Sequence, residues 1–132
     1  MKFGLDTSVV LRLLTGQPED QAGKALEWLM QAKNRDVSIE ISDLVLAETY
    51  YALQYHYEVS KEKALNALRE LISDPAIRVQ GVGALILQKQ RLGNARPGFV
   101  DQLIHAQYHQ ESKRMLTFEK AARKLSNTEV LT

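Results

Sequence analysis

Four carboxylates in this sequence stand where an acid can be more than surface charge: Asp6, Glu48, Asp101 and Glu119. Asp6 follows the apolar run Phe3-Gly4-Leu5 and precedes a stretch in which Val9, Val10, Leu13 and Leu14 recur at helical spacing. A strand therefore ends at or beside Asp6, and a helix begins at once. Ligands bind at the carboxyl ends of strands in open α/β sheets. An acid there is a metal ligand or a helix cap, and for Asp6 alone the cap is the stronger reading. Glu119 likewise follows a strand-like run, Met115-Leu116-Thr117. Glu48 falls in helical phase with Leu44, Ala47, Tyr51, Ala52 and Tyr55, which aims it at the core. A salt bridge or a metal must then offset its desolvation. Asp101 occupies the first turn of a helix whose apolar arc is Phe99, Val100, Leu103, Ile104, Ala106 and Tyr108. An acid in a first turn also complements the helix dipole with no further role. Together the four acids suit a hard divalent cation such as Mg²⁺ or Mn²⁺. Such an ion activates water and neutralises charge developing on a phosphate. Spacing alone does not bring the acids together.

The elements that must position them alternate. The helix after Asp6 breaks at Thr15-Gly16-Gln17-Pro18, and a second helix runs to about Lys33 with Ala22, Ala25, Leu26, Leu29 and Met30 on its inner stripe. Val37 to Ile41 alternates as a strand, and Ser42 caps a helix from Asp43 to about Tyr57. That helix has a second apolar face, Leu46, Tyr50, Leu53 and Tyr57, so it is either buried on two sides or meets a partner such as a second copy of the chain. Ser60 opens a helix striped by Ala64, Leu65, Leu68, Leu71 and Ile72, which Pro75 ends. Ile77-Arg78-Val79 is a short strand, and Gly83 to Leu92 has helical spacing with a stop at Gly93. After the loop 94–98 come a helix over Phe99–Gln110, a strand over Arg114–Thr117, a short helix over Glu119–Leu125 and a last strand near Val130-Leu131. Strands alternating with helices imply a mainly parallel sheet covered on both faces.

The 132 residues favour one domain over the whole length, 1–132, and the 45% hydrophobic and 25% charged content is that of an ordinary globular protein. Seventeen basic against sixteen acidic residues leave a formal charge of +1, which neither demands nor forbids nucleic acid. Without cysteine there is no disulfide, thiolate metal site or cysteine nucleophile, and the three histidines do not suggest a zinc site. No apolar run approaches membrane-spanning length, and a charge arrives too early for a signal peptide, so the expected location is cytoplasmic.

Four segments carry a resemblance. Leu5-Asp6-Thr7-Ser8-Val9-Val10, Val45-Leu46-Ala47-Glu48-Thr49-Tyr50-Tyr51-Ala52-Leu53, Phe99-Val100-Asp101-Gln102-Leu103-Ile104 and Leu116-Thr117-Phe118-Glu119-Lys120 resemble, in order and spacing, the four motifs of PIN domains. By pattern they are most similar to the VapC-type toxins of toxin–antitoxin pairs. The resemblance implies a three-layer α/β/α fold with a five-stranded parallel sheet and metal-dependent endonuclease activity on RNA. It also implies an antitoxin partner, Asp6, Glu48 and Asp101 as ligands of Mg²⁺ or Mn²⁺, and Glu119 as the fourth acid, in reach of the ion through water. Ser8 matches a small polar position that orients Asp6, and Thr117 matches a polar position before the last acid. Two positions depart from the pattern. The fourth acid is usually Asp, and many relatives carry a further Asp where this chain has Gly98.

Lys89, Arg91 and Arg96 precede Asp101, and Lys120, Arg123 and Lys124 follow Glu119. They are candidates to hold RNA phosphates, with solvated helix surface as the plainer reading of the second group. His105, one turn beyond Asp101, faces a phosphate, Asp101 or only solvent. The leading expectation is a ribonuclease toxin that forms a homodimer. The alternative is a catalytically weak PIN-like module that binds RNA or a protein, and Glu119 motivates it. A receiver domain fits poorly, because Asp6 stands alone and Gln80 follows the strand Ile77-Arg78-Val79. DxDxT phosphatases fail because Ser8 occupies the second Asp position.

Overall fold

A computed structural model describes residues 1–132, which divide into two compact units, Met1–Gln80 and Gly81–Thr132. In the first unit, β1 (Lys2–Gly4), β2 (Ser38–Ser42) and β3 (Ile77–Gln80) form a parallel sheet in that order, with Phe3 opposite Ile39 and Ile41 opposite Val79. The β2 alternation is decisive: Ile39 and Ile41 are fully buried, and Ser38, Glu40 and Ser42 are not. The Leu5 N–H continues the β1 ladder to Glu40 O at 2.9 Å, which fixes the chain just ahead of Asp6.

Around this sheet lie α1 (Thr7–Thr15), α2 (Glu19–Lys33), α3 (Asp43–Tyr55) and α4 (Lys61–Ile72). Their ends obey local chemistry. Gly16 takes the left-handed conformation at φ 69° and donates to Arg12 O, while Ser42 and Ser60 accept from the amides of Val45 and Lys63 at 3.2 Å. Lys33 at the end of α2 pairs with Asp74 in the turn before β3. That contact, reinforced by the Ala76 N–H, holds the Asp74 carboxyl below its usual value. A depressed carboxyl pKa stabilises the fold above the unfolded-state value and stops doing so as pH falls through the folded one. The pair is partly solvated, so Asp74→Asn is expected to cost about 1 kcal/mol or less at neutral pH. Urea titrations should show that difference shrinking as the pH drops below about 4, the ordinary carboxylate value.

The second unit contains α5 (Gly83–Leu87), a 3₁₀ turn (Leu92–Asn94), α6 (Phe99–Gln110), β4 (Met115–Thr117), a second 3₁₀ turn (Lys120–Lys124) and β5 (Thr128–Val130). β4 and β5 pair in parallel, with Leu116 opposite Glu129. Phe99, Leu103, Leu87, Leu92, Met115 and Ala122 supply its apolar interior. Gln102 is buried among them with both ends of its side chain engaged: the carbonyl accepts from Lys89 Nζ at 2.7 Å and the amide donates to Pro97 O at 2.8 Å. No helix in the chain is long and apolar enough to cross a membrane.

The fold is α/β with exclusively parallel strand pairs, compatible with a three-layer α/β/α architecture. The expected single five-stranded sheet is corrected: the five strands form one three-stranded and one two-stranded sheet. Alternation reveals that a segment is a strand, whereas its neighbours depend on long-range contacts. The helix expected over Gly83–Leu92 stops at Leu87. The polar run Gln88-Lys89-Gln90-Arg91 has no apolar face to bury, and Arg91 takes a left-handed φ of 57° that a helix cannot contain.

Two helical faces also differ from expectation. On α2, Leu26 and Met30 are more than half exposed, and the buried stripe instead runs through Leu29 and Ala32. Both stripes contain Ala22, Ala25 and Leu29, so helical period could not choose between them. On α3 the two apolar faces exist with their roles reversed. Leu46, Thr49, Tyr50 and Leu53 are buried, while Leu44 is 79% and Tyr55 75% exposed. α3 is therefore not buried on two sides.

Thr49 and Thr7 are buried with hydroxyls that have no hydrogen-bond partner. A buried hydroxyl without a partner carries a desolvation cost of about 1–3 kcal/mol. Thr49→Val is accordingly expected to raise the thermal midpoint, with a gain on the order of 1 kcal/mol. Calorimetry that found the variant less stable would reveal a hidden partner for the hydroxyl.

Candidate active site

Asp6 is the N-cap residue of α1, with extended dihedrals, yet its carboxylate makes no capping bond. Oδ2 instead accepts from Ser8 Oγ at 3.0 Å. The position is a cap, as expected of an Asp at a strand–helix junction, but the charge is left for something else. The Ser8 hydroxyl holds one oxygen of the acid.

Glu48 corrects the sequence reading. It is exposed, on the outer face of α3 with Leu44, Tyr51 and Tyr55, and not aimed at the core. No buried charge needs compensation there. The nearby rings cluster, Tyr51 lying 5.6 Å from Tyr50 and 6.1 Å from Tyr55 between centroids.

In the second unit, Asp101 and Glu119 line one cavity of about 210 Å³ with Thr117, Ile104, Tyr108 and Met115. Asp101 stands exposed in the first turn of α6, where its charge also complements the dipole. Glu119 directs Oε1 to the Ala121 N–H at 3.1 Å, capping the 3₁₀ turn, while Thr117 Oγ1 accepts from the Glu119 N–H at 3.0 Å. Thr117 thus fixes the backbone of the last acid.

All four carboxylates are exposed, and neither ion pair of the chain, Lys33–Asp74 or Lys113–Glu111, involves them. In donor chemistry they fit a hard divalent cation, since each offers oxygens that no lysine or arginine occupies. No group of three or more Asp, Glu or His side chains is gathered closely enough to hold an ion by itself.

Among the basic residues, Lys89 commits one donor to Gln102, while Arg91, Arg96 and Lys120 are exposed and unpaired. His105 meets neither Asp101 nor open solvent alone: its Nε2 lies 2.6 Å from Ser126 O. His109, four residues on, stacks on it at 5.8 Å and approaches Ser126 Oγ with Nδ1. That pairing was legible in the His105–His109 spacing, which a count of histidines passes over. Gln102 was missed altogether, since nothing in a polar residue's type announces burial.

The sequence profile of the PIN domain matches residues 4–127. The chain belongs to the PIN domain family. The match includes all four carboxylates and most of each compact unit. PIN domains are generally nucleases that act on RNA or DNA and typically bind divalent metal ions. No curated protein matches this chain significantly.

Proposed function

We propose that this PIN domain is a metal-dependent endoribonuclease, the toxin of a VapBC-type toxin–antitoxin pair, and that residues 1–132 act as one domain. The observation that carries the reading is the state of the acids. At the motif positions of a nuclease family, Asp6, Glu48, Asp101 and Glu119 are all exposed and free of cationic partners. Asp6 gives one oxygen to the Ser8 hydroxyl and Glu119 one to the Ala121 amide, and neither contact neutralises the charge.

Asp6, Glu48 and Asp101 would hold Mg²⁺ or Mn²⁺, with Glu119 contributing through water. The ion supplies an activated water and offsets charge on the phosphate oxygens. Ser8 keeps the Asp6 carboxylate oriented through its hydroxyl. Thr117 steadies Glu119 through the backbone amide. Arg91, Arg96 and Lys120, with the remaining donors of Lys89, would hold the RNA backbone. An RNA substrate sets the work in the cytoplasm. The outer face of α3, with Leu44, Tyr51 and Tyr55, would join a second copy of the chain. The antitoxin would cover the acids and offer them a basic side chain.

The test is cleavage of a labelled single-stranded RNA. Cleavage should require Mg²⁺ or Mn²⁺, stop with chelator and return with excess metal. Cutting that persists under chelation would remove the metal mechanism. A weak, non-cutting binding module is favoured by one observation, the engagement of Glu119 Oε1 by the Ala121 amide. Under that reading Glu119→Asp creates or strongly raises cleavage. Under the nuclease reading the native chain already cuts, and the same change alters the rate only modestly.

A further inference from the structure

A second cavity, of about 440 Å³, opens among β1, α1 and α2 in the first unit. Its size lies in the range of small-molecule sites. The walls are mostly apolar, and two aromatic rings, Phe3 and Trp28, meet edge to face at 5.1 Å on its border. Both rings remain partly exposed. The only charged lining residues are Arg12 and Lys24, both cationic and neither ion-paired. Arg12 is held in place by its Nε, which donates to Gln21 Oε1 at 2.7 Å and leaves both terminal guanidinium nitrogens for a ligand. Ser8 lines the same cavity and donates to Asp6. One hydroxyl thus joins this hollow to a carboxylate of the proposed cleavage site.

We propose that this cavity receives an unpaired base of the RNA substrate, a guanine in preference to an adenine, beside the phosphate handled at Asp6. The inference rests on the ribonuclease reading and adds a substrate subsite to it. Flat rings beside aromatic side chains, with cations near for the adjoining phosphate, are what a splayed-out nucleotide requires. The lining carries two cations and no acid, which suits a polyanion. The base preference follows from the donors. The free terminal nitrogens of Arg12 present only N–H groups, and guanine offers O6 and N7 as adjacent acceptors, whereas adenine sets its N6 amino group against them, which leaves Lys24 for the phosphate.

Trp28 is the single tryptophan of the chain, so its fluorescence reports directly on the cavity. Five-nucleotide RNAs, uridines flanking a central guanosine, adenosine or abasic site, are titrated into the full-length protein with chelator present. Labelled RNA anisotropy is followed in parallel. The expected result is saturable quenching by the guanosine oligomer, with the abasic one binding about tenfold more weakly or worse. Arg12→Gln should weaken the guanosine oligomer by a similar factor while circular dichroism is unchanged. Equal affinity for the abasic oligomer, or anisotropy without quenching, overturns the subsite and leaves the ribonuclease intact if metal restores cleavage. Adenosine binding as tightly as guanosine overturns the assignment of the Arg12 edge. If an apolar probe quenches Trp28 while no RNA does, the cavity takes apolar ligands and the proposal falls. Absence of both binding and cleavage removes the ribonuclease reading and the subsite with it.

Discussion

Asp6→Asn is expected to lower metal-dependent RNA cleavage on the order of 10²–10³-fold, the loss typical when one preorganised electrostatic contributor leaves a hydrolytic site. The protein should stay folded. Asparagine is as good an N-cap as aspartate, and its amide oxygen still accepts from the Ser8 hydroxyl. Only the charge is lost, and a hard cation is most sensitive to charge. Ser8→Ala should cost less, about 10–100-fold, because it removes an orienting bond and leaves the carboxylate. The contrast is measured with one labelled RNA at saturating Mn²⁺, with thermal melts as the folding control. Full activity in Asp6→Asn would exclude this carboxylate from the chemistry.

The second large effect concerns stability and separates the two faces of α3. Leu46 is fully buried, and Leu46→Ala is expected to cost about 2–5 kcal/mol, from lost transfer energy and the cavity left behind. Against a typical total of about 5–15 kcal/mol for a domain, that is a large share. Leu44, two residues earlier on the same helix, projects outward, and Leu44→Ala should change stability by no more than about 0.5 kcal/mol. Urea denaturation of dilute protein measures both. A large cost at Leu44 with little at Leu46 would mean that α3 is turned the other way, with Glu48 facing inward. A cost at Leu44 that appears only at high protein concentration is the signature of the second copy proposed for this face.

The same helix illustrates what a linear chain encodes. Local signals were legible because their physics is local. Ser42, Ser60, Gly16 and the run Phe99–Gln110 define helix ends by hydrogen bonds and dihedrals within a few residues, and all four occur as read. The alternation of Ile39 and Ile41 named the central strand of its sheet in the same way. The four motif segments, too, carried enough order and spacing to announce the PIN family that the profile match shows.

Amphipathic period told that α3 has two apolar faces but not which one is covered, since α1, α4 and β2 make that choice by packing. The side of α2 that buries Ala32, the division of five strands between two sheets, and the bond from Lys89 that serves the buried Gln102 all depend on residues outside the local segment. So does the position of Glu48, which phase alone turned inward and the fold turns to solvent. Sequence by itself determined which residues are acids, where helices and strands begin, and the family to which they belong. Tertiary structure alone decided which of those acids remain unpaired, because an ion pair is made by whatever long-range packing brings within reach.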